Sequence, residues 1–128
     1  MSAVKQMLDR KIWAVVGVSA DKSKFGYKVY VKLKKAGYTV YGINPKLNEL
    51  EGEKVYKELS ALPQKPEVVN FVVPPAVTLN MVPECAQNGI RYAWLQPGSE
   101  SPAALDLLRE HEMEVLQGCV LMELRKLC

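Results

Sequence analysis

The sequence predicts an α/β fold, a mostly parallel sheet covered by helices on both faces, and three observations lead there. Apolar runs of strand length recur along the chain. Segments of helix length separate them, so strands and helices alternate. Stop and start residues fall at the joints: Gly37 and Gly89 close helical segments and Pro102 opens one.

Six strands are expected: Ile12 to Val18, Thr39 to Ile43, a short one from Lys54 to Tyr56, Val68 to Val73, Tyr92 to Leu95, and Glu114 to Leu116. Between the first two lies a helix from Gly26 to Ala36, with Val29, Tyr30 and Leu33 on one face. Val77 to Asn88 reads as a second helix, Pro102 to His111 as a third with Leu105 and Leu108 inward, and Met122 to Leu127 as a short last one. Right-handed crossovers are most economical if sheet growth reverses after the third strand, which puts the fourth beside the first. The expected architecture is a Rossmann-like three-layer sandwich with strand order 3-2-1-4-5 plus a short final strand.

The 128 residues suit one domain spanning 1–128, since a chain of that size buries roughly 65–70% of its unfolded surface without staples. With 48% hydrophobic and 24% charged residues, the composition is that of a soluble globular protein. The opening MSAVKQMLDRKIW has neither the apolar core of a signal peptide nor a membrane span, so a cytoplasmic location is expected. Cys85, Cys119 and Cys128 are widely spaced and have no neighbouring histidine, which disfavours a disulfide framework or a zinc site and leaves reduced thiols.

The net charge of +3 is unevenly spread: residues 1–48 hold ten Lys/Arg against two Asp, and residues 49–128 seven against twelve acids. Lys28, Lys32 and Lys35 belong on a solvated helix face, whereas Lys22, Lys24 and Lys46 fall in expected loops. No basic, aromatic-laced run supports a nucleic-acid partner.

In an open sheet of this kind a ligand binds at the carboxyl ends of the strands, where the order reverses. The segments to weigh are Gly17 to Gly26, Asn44 to Lys46, Pro74 to Val77 and Gln96 to Ser99. The stretch VVGVSADKSKFGYKV lacks the G-x-G-x-x-G spacing of a dinucleotide turn but keeps phosphate-binding chemistry. Gly17 frees the backbone to turn, Ser19 offers a hydroxyl, Lys24 brings a charge, and Gly26 begins a helix whose exposed N–H groups attract an anion. Tight packing without any ligand is the other reading of Gly17 and Gly26. An NAD site places a carboxylate at the end of the second strand, yet here that strand runs into Asn44-Pro45-Lys46. A cation in that place favours a ligand with an additional ribose phosphate, NADP or coenzyme A. Pro74-Pro75 would form a stiff apolar wall for an adenine or a pantetheine arm, or simply end a strand.

Those segments, with GYTVYGINPK, GEKVYKELSALP, VVNFVVPP, YAWLQPG and GCVLMELRKL, carry a resemblance across nearly the whole chain. It is similar to the stand-alone CoA-binding proteins (YccU-like), which resemble the N-terminal domain of the succinyl-CoA synthetase alpha subunit. The resemblance implies a Rossmann-like fold that binds CoA. It implies that Gly17, Val18, Ser19 and Ala20 lie along the nucleotide and that Lys24 and Gly26 belong to the phosphate loop. Asn44, Pro45 and Lys46 would border the adenosine and its 3′-phosphate, with Val73 and Pro74 on the opposite wall. The synthetase also uses a phosphorylated histidine in a further domain and a second subunit, which this sequence does not supply.

The single histidine, His111, precedes the sixth expected strand and so lies at the sheet edge away from the crevice. Neither a G-x-S-x-G elbow nor a paired-carboxylate motif occurs. Cys119 follows a strand of suitable direction, as a buried inert thiol or as one able to exchange with a CoA thiol. Trp94 is core, while Gln96 and Gly98 at the crevice edge would suit a pantetheine contact. The expectation is a non-catalytic module that binds CoA or acyl-CoA and no metal. The other reading is an NADP-linked reductase or a ligase component needing a partner chain. A homodimer or another protein partner is compatible with so small a unit.

Overall fold

Strands that are apolar along their length need cover above and below, and the sheet has it. In the computed structural model, which describes residues 2–126, β5 (Val68–Phe71) and β6 (Tyr92–Leu95) are buried at every position, and β1 (Ile12–Val16) at all but its first. Around them stand β2 (Thr39–Ile43), β3 (Glu49–Leu50), β4 (Glu53–Tyr56) and β7 (Glu114–Gln117). The sheet order is β3-β4-β2-β1-β5-β6-β7. Every pairing is parallel except β3 with β4.

The helices are α1 (Ala3–Leu8), α2 (Phe25–Lys35), α3 (Pro75–Gln87), α4 (Pro102–Glu110) and α5 (Val120–Arg125). One core layer joins Met7, Leu33 and Val120 to Trp13, Val15, Val68 and Trp94 of the sheet. The other joins Val82, Cys85 and Leu108 to Ala14, Val69, Phe71 and Leu95. Helices α1, α2 and α5 therefore cover one face and α3 and α4 the other, which makes the Rossmann-like α/β sandwich. Trp13 and Trp94 meet at 5.7 Å between ring centroids. Their buried indole N–H groups donate to the Arg10 and Gly118 carbonyls, both at 2.8 Å, so neither polar handle is left bare.

The strand order differs in detail from the expected one, because the two-residue β3 is added antiparallel at the edge beside β4. Its hairpin turns through Glu51 and Gly52, whose φ values of 49° and 78° are those of a two-residue primed turn. Glutamate seldom takes such a φ, so the turn has no strong sequence signal; burial of Leu50 holds it in place. The expected first and fourth strands are shorter than read, ending at Val16 and Phe71. Helix α1 was not expected. Ser2 caps it, its Oγ accepting from Lys5 N at 3.1 Å, and Met7 and Leu8 anchor it. Helix α3 starts at Pro75, two residues before the expected Val77, since a proline ring is already set for a first helical turn. Helix α5 starts at Val120 rather than Met122; the expected end of that helix, Leu127, lies outside the described residues, as does Cys128.

Candidate functional site

The turn after β1 is set by close backbone packing. Gly17 has φ +98°, and a Cβ there would come 2.7 Å from Val73 Cγ1 and closer still to the Val72 carbonyl oxygen. A Cβ on Gly26 would lie 3.1 Å from the Gly17 carbonyl carbon. Both glycines are thus required by contacts within the protein: the end of β5, the turn at Gly17 and the first turn of α2 are stacked on one another. Packing accounts for them before any ligand is considered. The stack also brings the start of α2, whose first N–H groups lack intrahelical partners, beside Gly17.

The residues between these glycines form a polar loop that closes on itself. Ser19 Oγ accepts from Asp21 N at 3.0 Å, and Asp21 Oδ1 accepts from Ser23 N at 2.9 Å and Ser23 Oγ at 2.6 Å. The Ser23 bonds, and secondarily the Lys24 charge, hold the Asp21 carboxyl below its ordinary range. Ala20, Lys22 and Lys24 are exposed. Val18 differs from its loop neighbours: its side chain is wholly buried in the core, against Gly42, so it presents only backbone outward.

Asn44 joins this turn to the next. Its Nδ2 donates to the Val18 carbonyl at 2.8 Å and its Oδ1 accepts from Lys46 N at 2.9 Å. The strand ends are sewn in the same sense, Gly17 N donating to Ile43 O and Asn44 N to Tyr56 O, both at 2.9 Å. Just past β4, Lys57 Nζ donates to the Pro45 carbonyl at 3.0 Å and to Asn48 Oδ1 at 3.3 Å.

Between these loops and α3 opens a cleft of about 520 Å³, within the usual range for a small-molecule site. Of the residues expected at a ligand, Gly17, Asn44, Pro45, Lys46 and Val73 line it. Val18, Ser19, Ala20, Lys24, Gly26 and Pro74 are not part of its wall; they sit at or beyond its rim, on the β1–α2 turn and the cap of α3. The floor is apolar, from Val16, Ile43, Val73, Val77 and Met81. Lys46 and Lys57 stand on the wall without a carboxylate within 4.0 Å among the described residues.

Lys57, Glu58, Met81 and Glu84 also line the cleft and were missed in the sequence. Val77, Met81 and Glu84 are spaced i, i+4, i+7, one face of a helix, and that face looks into the crevice. Lys57 immediately follows β4, so parallel pairing with β2 brings it to the carboxyl edge of the sheet.

The remaining candidates fall elsewhere. Gln96 is buried, with Oε1 accepting from Val120 N at 2.7 Å and Nε2 directed at Cys119 Sγ at 3.5 Å. Its amide positions α5 and is not offered to a pantetheine arm. Cys119 is half-buried and off the cleft wall. Burial, with the Glu84 carboxylate adding to it, pushes the Cys85 thiol up to about 12, which makes it inert. His111 caps the C-terminal end of α4, at the opposite edge of the sheet.

The chain resembles known proteins both in sequence and in three dimensions. It is 34% identical over 79 residues to the alpha subunit of an ADP-forming acetate–CoA ligase II of Pyrococcus furiosus, a match covering 61% of this chain and 17% of that subunit. The chain thus spans under a fifth of that relative's length. In three dimensions it superposes on a hypothetical protein from Pyrococcus horikoshii with a TM-score of 0.92 at 28% identity, over 97% of this chain and 89% of that one. It also superposes on a dinucleotide-forming acetyl-coenzyme A synthetase 1 of Ca. Korarchaeum cryptofilum, solved with phosphate and ADP, with a TM-score of 0.75 at 29% identity over 91% of this chain and 27% of the synthetase. Residues 11–125 match the family described as CoA binding domain, and the chain belongs to that family.

Proposed function

We propose that the chain binds coenzyme A, free or acylated, in the cleft at the carboxyl edge of the sheet and performs no chemistry of its own. The observation that carries this reading is the pairing of an apolar floor with two lysines that have no carboxylate partner among the described residues, at the point where the sheet order reverses. In this reading Asn44, Pro45 and Lys46 border the adenosine and its 3′-phosphate, and Val73 and Pro74 form the facing wall. The diphosphate runs out over the backbone of Gly17, Val18, Ser19 and Ala20 toward Lys24 and the start of α2 at Gly26, where helix N–H groups and a cation favour an anion.

Catalysis is assigned to another chain. The side chains on the cleft wall are two lysines, two glutamates, one asparagine and apolar groups, with no nucleophile and base in contact. The Pyrococcus furiosus relative is named as one subunit of a ligase, which supports a module that presents CoA to a partner. No helix among the described residues is long and apolar enough to cross a membrane, and a cytoplasmic setting is part of the proposal.

Calorimetric titration and thermal shift with CoA, acetyl-CoA and NADP test it. A ligand binding only the folded chain at 100 times its dissociation constant adds about 2.7 kcal/mol. CoA and acetyl-CoA are expected to stabilise and NADP to leave the melting temperature unchanged. Stabilisation by NADP in preference to CoA overturns the reading.

A further inference from the structure

The loop from Asn44 to Asn48 carries one unengaged cation and is strapped by a second. Lys57 reaches over from the end of β4, and its two acceptors, the Pro45 carbonyl and Asn48 Oδ1, are both neutral. Its charge is therefore uncompensated, and an ammonium has a third proton to give. Lys46, on the strapped loop, has no hydrogen bond or ion pair from its side chain among the described residues. The two carboxylates on the same wall are engaged elsewhere: Glu58 accepts from Ser60 Oγ, and Glu84 Oε1 accepts from Leu59 N at 3.3 Å.

Lys46 and Lys57 line the same cleft, and like charges drawn toward one ligand there are relieved by an anion between them. A phosphomonoester carries about 1.5 to 2 negative charges at neutral pH and three strong acceptor oxygens. It therefore matches a pair of cations in charge and in acceptors. A bridging phosphate, with a single charge, matches only one.

We propose that Lys57 and Lys46 form a two-cation seat for a terminal phosphomonoester on the ribose, and that through Lys57 the chain distinguishes CoA from dephospho-CoA. The inference rests on CoA being the ligand and adds a residue that both holds the loop and reads the phosphate. Lys57 is exposed, so its replacement leaves the core untouched.

Calorimetric titration of wild type, Lys57→Met and Lys57→Arg with CoA and with dephospho-CoA tests it, circular dichroism confirming that each variant is folded. Lys57→Met keeps the aliphatic stem and removes the charge. Wild type is expected to prefer CoA by about tenfold or more, and Lys57→Met to lose that preference, its affinity for CoA falling by about tenfold more than its affinity for dephospho-CoA, whose own smaller loss reports the strap. Lys57→Arg is expected to keep most of the preference. The proposal is overturned if Lys57→Met binds CoA as wild type does. It is equally overturned if that variant loses both ligands alike, the mark of a strap that touches no phosphate. Equal wild-type affinity for the two ligands removes the seat and leaves CoA as the ligand, whereas wild type binding neither removes both.

Discussion

Gly26 rests on Gly17: a Cβ on the first would fall 3.1 Å from the carbonyl carbon of the second and nearer still to its oxygen. Neither backbone segment can yield without moving β5 or α2. Gly26→Ala is therefore expected to cost about 1–3 kcal/mol, the usual range for overpacking. Gly17→Ala meets Val72 and Val73 and adds left-handed strain of about 1–2 kcal/mol, so it should cost more. Gly37→Ala, at φ +96° with nothing within 4 Å of the added carbon, isolates the strain alone. Urea midpoints should be highest for Gly37→Ala, lower for Gly26→Ala and lowest for Gly17→Ala. Loss of ligand in a Gly17 variant then reports a damaged fold rather than a blocked approach.

Asn44 spans two loops with one amide. Asn44→Ala removes both bonds and leaves the Val18 carbonyl without its side-chain donor, which should cost about 1–2 kcal/mol. Asn44→Asp keeps the acceptor for Lys46 N but sets a carboxylate against the Val18 carbonyl, and should destabilise more. Chemical denaturation of the two variants checks the order, and titration of each with CoA should show weakened binding in both.

Lys24 and Lys46 are exposed and carry no ion pair among the described residues. Lys24→Ala and Lys46→Ala should therefore move stability by no more than about 0.5 kcal/mol. Both should weaken CoA binding, and the loss should shrink as salt is raised, because the missing term is screened. Wild-type affinity in both variants at low salt would remove the lysines from the site.

Alkaline pH should destabilise the protein in a defined window. Burial raises the Cys85 thiol from 9.0 to about 12, with Glu84 adding to it, and burial likewise raises the Tyr30 and Tyr38 hydroxyls above 10.0. The folded chain thus keeps protons that the unfolded chain releases, so stability falls as pH rises. The Cys85 contribution is complete below about pH 9 and is lost as pH climbs toward about 12. Melting temperatures should hold to pH 9 and decline beyond it, and Cys85→Val should make the decline shallower. An unchanged slope in that variant would clear the thiol of the effect.

The central strands were legible because β1, β5 and β6 are buried and spell out apolar runs, and because crossover handedness leaves few ways to order them. The hairpin at Glu51 was not legible, since its φ is one that glutamate rarely adopts. Helix α1 was hidden by its brevity, only Met7 and Leu8 being buried. Around the cleft, Gly17, Asn44, Pro45, Lys46 and Val73 were expected at the sheet's carboxyl edge and do line the opening there, because chain direction alone brings strand ends to one edge. Lys57 and Glu84 were not expected there, for their arrival depends on the register of β4 and the rotation of α3. Gln96 looked available by position, yet its amide is consumed holding α5.

Asn44 fastens the two turns together with hydrogen bonds that the chain itself supplies, which braces the cradle from within the fold. Little ordering is left for the moment of capture, and the speed of association should then be governed by diffusion and the pull of the lysines rather than by rearrangement of the chain.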